Sequence, residues 1–268
     1  MLKLPDVTLV MIETRELKLA KMAIEDCLRV AEFGDVLILT NKPEEFSGLN
    51  CNPRFVLIED WPDKVGWCRS SWFDVPPHVY TRQTLNIQWD SWIWDPAKWR
   101  DEFLEYDFIG APWWYKDWKN VGNTGFCLKS KRLIQYIYDR RLQFPCDTSA
   151  EDDLLCRKYR PKLENAGFIW APEKIAYDFA FECVQPAPGS RQFGFHAMFN
   201  WGRVLDHDRL LERARLALGS KYIQNSYIGE TFCKMNPGIV KELLEEERIR
   251  SKEQTDGGNF SLSREGIP

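Results

Sequence analysis

The stretch "DVTLVMIET", Asp6 to Thr14, is a short apolar run rich in β-branched residues that closes on polar ones. Continuous apolar character without alternation is the pattern of a strand buried on both faces. The neighbouring segments settle the class. "RELKLAKMAIEDCLRVAEF" carries apolar residues at Leu17, Ala20, Ile24, Leu28 and Ala31, close to helical spacing. Then come two more apolar runs, "DVLILTN" (Asp35 to Asn41) and "RFVLIED" (Arg54 to Asp60). Strand, helix, strand, connection, strand is the grammar of an α/β protein with a mostly parallel central sheet flanked by helices. Ligands in such sheets gather at the carboxyl ends of the strands. Thr14, Asn41 and Asp60 are therefore candidate mouth residues, although each also suits a turn or a helix cap.

Further along, a Pro- and Trp-containing loop, "WPDKVGWCRSSWFDVPP", leads into "HVYTRQTLNIQWD", a helix or strand ending at Asp90. "AKWRDEFLEYDFIGAPWWY" supplies a short helix and a strand stopped by Pro112. An amphipathic segment runs from Lys131 to Tyr138, and "AEDDLLCRKYRPKLENAG" reads as a helix. From Asp206 to about Arg250 the pattern is helical, and the polar, Gly-rich end "TDGGNFSLSREGIP" reads as a mobile tail. The expected organisation is a catalytic domain over 1–205, a helical extension packed on it over 206–250, and a flexible tail over 251–268.

Bulk properties exclude several classes. The 268 residues carry a formal charge of -4, so nothing global points to nucleic acid or an anionic membrane. No apolar run approaches the roughly 20 residues of a membrane span, and the N-terminus lacks a signal peptide's pattern, so a cytoplasmic location is expected. The eight cysteines are scattered with no C-x-x-C pair, which suggests reduced thiols rather than a zinc ribbon or disulfide framework. Neither a P-loop nor a G-x-G-x-x-G fingerprint is present. Tryptophan is the unusual component: ten of the twelve lie between Trp61 and Trp118, more than a core needs, so some are expected to line a cleft.

Four features can carry chemistry. Asp90, with Asp95 five residues on, suits a hard divalent cation at a sheet mouth, or simply a turn. "VGNTGF", Val121 to Phe126, lets the backbone approach a ligand closely, or makes a plain tight turn. "EDD", Glu151 to Asp153, opens a helix, where acids favour the dipole, yet a carboxylate at a cleft rim also deprotonates hydroxyls. His196, in "FGFH" between aromatics, is either a satisfied core histidine or a ligand.

Taken together, "IQWDSWIWDPAKWRDEFLEYDFIGAPWW", "VGNTGFCLKS", "EDDLLCRKYRP" and "FGFHAMFN" resemble the bacterial and phage DUF5672 family, which is related to GT-A glycosyltransferases. The resemblance runs from about Val7 to Trp201 and implies a GT-A-like, Rossmann-related fold with a C-terminal helical extension. It implies transfer of a sugar from a nucleotide-diphosphate donor, UDP-sugar favoured, to a glycan or other hydroxyl acceptor. Asp90 and His196 match the metal site, for Mn²⁺ or Mg²⁺. The acidic motif reads "QWDSW" rather than D-x-D, so the second carboxylate is absent or comes from Asp95. Asp152 matches the base of inverting members, beside Glu151. The donor site is expected to comprise Thr14, Asn41, Asp60, Arg82 and Asp90, and the acceptor side Trp113, Trp114, Asn123, Thr124 and Gly125. Strand alternation allows Trp89 to turn from Asp90 into the core, so not every indole need touch ligand. A non-catalytic carbohydrate-binding protein on the same scaffold is the alternative, with a metal phosphoesterase or nuclease behind it; a nucleic-acid acceptor is not favoured.

Overall fold

The structure, a computed structural model, describes residues 1–60, 64–147, 149–223 and 226–256. They form two compact units, Met1–Asn200 and a unit beginning at Trp201. In the first, β1 (Leu2–Ile12), α1 (Leu17–Val30), β2 (Ala31–Thr40) and β3 (Arg54–Leu57) follow the sequence grammar. After α2 (Lys64–Arg69) come β4 (Gln83–Ile87), β5 (Trp92–Ile93), β6 (Phe108–Ile109), β7 (Phe126–Ser130) and α3 (Lys131–Asp139). Then α4 (Glu151–Asp153), α5 (Arg160–Asn165), α6 (Glu173–Phe179), β8 (Ala180–Phe181) and β9 (Gly194–Phe195) complete it.

A six-stranded sheet in the order β3-β2-β1-β4-β7-β6 forms the centre, and a small second sheet has the order β5-β9-β8. The first four strands of the large sheet run parallel, but β7 is antiparallel to both β4 and β6. The expectation of a mostly parallel sheet is thus corrected to a mixed one. The physical reason is the connection: between β4 and β7 the chain makes only short turns and two-residue strands, no crossover helix, and an antiparallel partner needs none. Strand β2 also starts four residues before the expected Asp35, because the first residues of β1 pair with Ala31 to Phe33 across an irregularity. Gly34 sits at that irregularity, where a Cβ would lie 1.9 Å from the Pro5 carbonyl oxygen, so only glycine fits.

Alternation along β1 and β2 puts Val10, Ile12, Leu37 and Leu39 on one face, sealed by Val75, Val79 and Ile134. Side chains of this size contribute about 1.5–3 kcal/mol each when buried. α1 turns Leu19, Ala20, Ala23, Ile24 and Cys27 inward. The expected Pro- and Trp-containing loop is partly helical, α2 running into a wide turn over Ser70–Asp74; Trp61 and Pro62 lie outside the described residues. The helix read over "AEDDLLCRKYRPKLENAG" is interrupted by a π-type turn at Leu154–Lys158, just before Pro161.

The second unit consists of α7 (Trp201–Val204), α8 (His207–Leu218), α9 (Tyr227–Met235) and α10 (Pro237–Asp256). Asp206 caps α8 by accepting from the Arg209 amide, and Ser226 caps α9 by accepting from that of Gly229. Helix α10 continues to Asp256, into the stretch read as a tail; 257–268 lie outside the described residues. Among the described residues no helix is long and apolar enough to cross a membrane.

Candidate active site

The site is built where β4 ends. The Gln88 amide donates to Ser91 Oγ (2.9 Å) and the Ser91 amide returns a bond to the Gln88 carbonyl, closing a tight turn. Ser91 Oγ also donates to the Gly125 carbonyl at 2.6 Å, tying this turn to the loop before β7. The turn ends strand alternation after Ile87, so alternation does not decide how Trp89 and Asp90 are buried. Asp90 is 1% exposed, while Trp89 is only half-buried. Trp92 provides the burial instead, edge-on to Phe195 at 4.6 Å between ring centroids.

Asp90 Oδ2 accepts from the Met198 amide at 3.2 Å. Its Oδ1 is buried with no hydrogen-bond partner and lies 3.4 Å from His196 Nε2, an ionic contact too poorly aligned for a full hydrogen bond. Gln88 Oε1 stands 3.1 Å from the same nitrogen. On the far side of the ring, Nδ1 is 2.9 Å from Glu182 Oε1 and 2.9 Å from Asn123 Nδ2. Burial alone would pull the His196 pKa down, but the neighbouring Asp90 and Glu182 carboxylates outweigh it and lift it to about 10. At neutral pH the ring is therefore an imidazolium, with Nδ1–H donating to Glu182 and Nε2–H directed at Gln88 and Asp90.

The "VGNTGF" loop makes room for this ring. Asn123 adopts a left-handed conformation (φ 63°), and its Oδ1 accepts from the Gly125 and Phe126 amides. That fixes the amide so that its nitrogen faces His196. A Cβ on Gly125 would lie 2.2 Å from His196 Nε2, so the imidazole occupies the space a side chain would take. Thr124 is buried beside it.

The "EDD" triplet divides its duties. Glu151 is buried, and its Oε1 accepts from Lys129 Nζ (2.6 Å), Ser71 Oγ (2.9 Å) and Trp72 Nε1 (2.8 Å). Burial would lower the Lys129 pKa, but Glu151 reverses the direction and keeps the ammonium charged. So engaged, Glu151 anchors α4 and is not free for the catalytic part expected of it. Asp152, half-buried, has its pKa raised to about 6 by burial first, then by Asp153, with Glu182 and Glu151 adding to it.

At the other strand ends, Thr14 Oγ1 donates to Asp60 Oδ1 at 2.7 Å, and Asn41 Oδ1 is buried without a hydrogen bond. Glu13, unforeseen in the sequence, accepts from the Thr14, Arg15 and Glu16 amides. Burial nevertheless pushes its pKa up to about 7. Two expected residues lie elsewhere. Arg82 precedes β4, at the amino end of the strand and so away from its carboxyl end, and binds the Leu104 carbonyl and Glu105 rather than facing the site. Asp95 uses its Oδ1 to cap the turn at Pro96–Lys98, accepting from the Ala97 amide, and does not supply a second carboxylate to Asp90. Trp113 is buried, its ring pressed against Gly122, while Trp114 is 60% exposed. Sequence reasoning overlooked Gln88, Glu182 and Lys129. Gln88 alone had a signal, two residues before Asp90 where a D-x-D motif has its first acid.

Among the described residues, no three His, Cys, Asp or Glu side chains converge as a metal cage. Glu182 faces Nδ1 and Asp90 faces Nε2, on opposite sides of the ring. Nε2 is approached by Asp90 Oδ1 at 3.4 Å and by the side-chain Gln88 Oε1 at 3.1 Å. A carboxylate, an amide oxygen and, only after Nε2 loses its proton, an imidazole are the donors a divalent cation would meet here, its remaining ligands coming from outside the chain. The chain's own donors suffice for no more than that.

Residues 78–196 match the family described as "Protein of unknown function (DUF5672)" and include three of the motifs on which the resemblance rests and the start of the fourth, through His196. That description assigns no activity. No curated protein matches the chain in sequence. Among solved structures, 4-diphosphocytidyl-2C-methyl-D-erythritol synthase from Anaerococcus prevotii DSM 20548 is similar with a TM-score of 0.38 and 10% identity. That alignment covers 55% of this chain and 80% of the other.

Proposed function

We propose that this chain is a metal-dependent glycosyltransferase of GT-A type, moving a sugar from a nucleotide-diphosphate donor to an acceptor hydroxyl. The observation that carries the reading is the Asp90 Oδ1 oxygen, buried just past the carboxyl end of β4 with no hydrogen bond and 3.4 Å from His196 Nε2, the nitrogen that Gln88 Oε1 also approaches. An unsatisfied buried carboxylate oxygen costs stability and persists where a ligand completes it. Asp90, His196 and Gln88 would hold Mn²⁺ or Mg²⁺, which when bound supplies positive charge to the leaving diphosphate. His196 must first lose its Nε2 proton, and Glu182, accepting from Nδ1–H, keeps the remaining tautomer aimed correctly. Thr14, Asn41 and Asp60 offer hydroxyl, amide and carboxylate groups to the nucleoside. Asp152, with its pKa near 6, is ionised at neutral pH yet basic enough to take the acceptor proton, as an inverting mechanism requires. Asn123, Thr124 and Gly125 border the acceptor, with Trp114 presenting an open indole face to sugar CH groups.

Calorimetric titration of UDP and GDP, with and without Mn²⁺, tests the donor site in the wild type and Asp90→Ala. Binding that needs Mn²⁺ and vanishes in the variant is expected. Nucleotide binding that ignores both metal and Asp90 refutes the proposed site. A second reading, a sugar-binding protein without turnover, draws on the exposure of Trp114 and Trp118, 60% and 58%. Glycan binding with no transfer from any nucleotide-sugar would favour it.

A further inference from the structure

Outside the site just described, two thiols stand unusually close. Cys68 Sγ and Cys146 Sγ are 2.9 Å apart although 78 residues separate them in sequence. Cys68 lies on α2 and is wholly buried; Cys146 is half-buried in the segment that leads into α4. Both neighbours of Cys146 are pinned. Tyr159 Oη donates to the Pro145 carbonyl at 2.9 Å, and Asp147 pairs with Lys158 while accepting from the Ser149 amide. The contact is therefore held by the fold around it and does not depend on the thiols themselves.

We propose that Cys68 and Cys146 are a built oxidation site that closes to a reversible disulfide under peroxide. The chemistry assigns the two sulfurs different parts. The thiol hydrogen bond from Cys68 favours the Cys146 thiolate and Arg69 assists; against burial and the Glu151 and Asp147 carboxylates, these still leave Cys146 below the usual thiol range. The same bond, then burial, pushes Cys68 well up. Cys127 and Cys183 lie in the other direction, raised to about 12 chiefly by burial. The thiolate of Cys146 attacks one peroxide oxygen, the O–O bond breaks, and hydroxide leaves and is protonated to water. Cys146 is then a sulfenic acid. Cys68 attacks that sulfur, the S–O bond breaks, and the hydroxyl leaves as water with the Cys68 proton. One peroxide is reduced to two waters, and two thiols lose two electrons and two protons.

The link would join two segments that already meet at Glu151. Ser71 and Trp72, just beyond α2, donate to its carboxylate, and Cys146 lies five residues before it in the chain. Oxidation would therefore fasten the anchor of α4, independently of what reaction α4 serves. Closing a chain loop of this length restrains the unfolded state and should raise Tm by several degrees.

The test treats the reduced full-length protein with stoichiometric hydrogen peroxide, then measures intact mass, a non-reduced peptide map and Tm. The expected result is loss of two hydrogens, a peptide joining Cys68 to Cys146, a raised Tm and full reversal by dithiothreitol. Cys146→Ser should abolish the link; Cys68→Ser should leave Cys146 as a sulfenic acid that dimedone traps. Cys183→Ser, which removes an exposed thiol, should cross-link as the wild type does. A link between other cysteines, further oxidation of Cys146 without a link, or two persistent thiols would each overturn the assignment.

Discussion

Asp90 and Glu151 are both carboxylates shut away from water, and each has one oxygen with hydrogen bonds and one without. Their partners differ. Glu151 faces a lysine ammonium at 2.6 Å with a hydroxyl and an indole N–H on the same oxygen. Asp90 faces an imidazole that can surrender its proton, across a gap of 3.4 Å. The first arrangement is closed, because the lysine ammonium that faces it keeps its charge. The second stays open to a competitor for the proton's place. Burial alone therefore does not separate a structural acid from a chemical one; what distinguishes them is whether the counter-charge is removable.

The largest test of that contrast is Lys129→Met. It should destabilise the fold by about 3–5 kcal/mol, since it strands a buried charge. Adding Glu151→Gln should restore most of the loss, because a neutral amide oxygen still accepts from Ser71 and Trp72. Urea unfolding measures both. If the single change costs under about 1 kcal/mol, Glu151 is not the closed anchor its geometry indicates.

A smaller effect comes from pH. The folded pKa of His196, about 10, lies above its unfolded value, so its stabilisation is complete below about pH 6.5 and disappears as pH rises through 10. Glu13 and Asp152, raised to about 7 and about 6, also favour the protonated side, but their share is spent by mildly alkaline pH. From pH 8 to 10 the wild type should lose on the order of 3 kcal/mol, and His196→Gln should be much flatter. Equal slopes in the two proteins would mean that His196 is not held as an imidazolium.

Smaller still is the stability change in Asp152→Asn. Ionising Asp152 in the fold is penalised, so the amide should stabilise the protein by about 2 kcal/mol at pH 8. Transfer should meanwhile fall by about 10²–10⁴-fold with donor binding kept. A variant that is both unaltered in stability and fully active would remove Asp152 from the site.

The parallel half of the sheet was legible because β1, β2 and β3 are apolar runs whose neighbours repeat at helical spacing. The antiparallel half was legible only in part: a strand stopped by Pro112 and a turn at "VGNTGF" can be read locally, but nothing in those short windows says that β7 pairs antiparallel with both β4 and β6. In the site, Asp90, Asn123, Gly125 and His196 could be named from motifs, and the fold brings them into one network. Glu182, in "FAFECV", has no local pattern, and it joins the site only because β8 pairs with β9 and sets it beside His196. Arg82 and Asp95 looked as suitable as their neighbours in the sequence, and only the direction of β4 and a local cap exclude them.

What the sequence by itself determined is the α/β grammar, the motif residues and their order, since these rest on periodicity and residue chemistry within short windows. What only the tertiary structure decided is which acids are spent and which remain available. Three cases show it: Glu151 spent on Lys129, Asp90 open toward His196, and Cys68 set against Cys146. Each depends on partners tens of residues away, and electrostatic and hydrogen-bond energies depend on distance in space, to which sequence separation is blind.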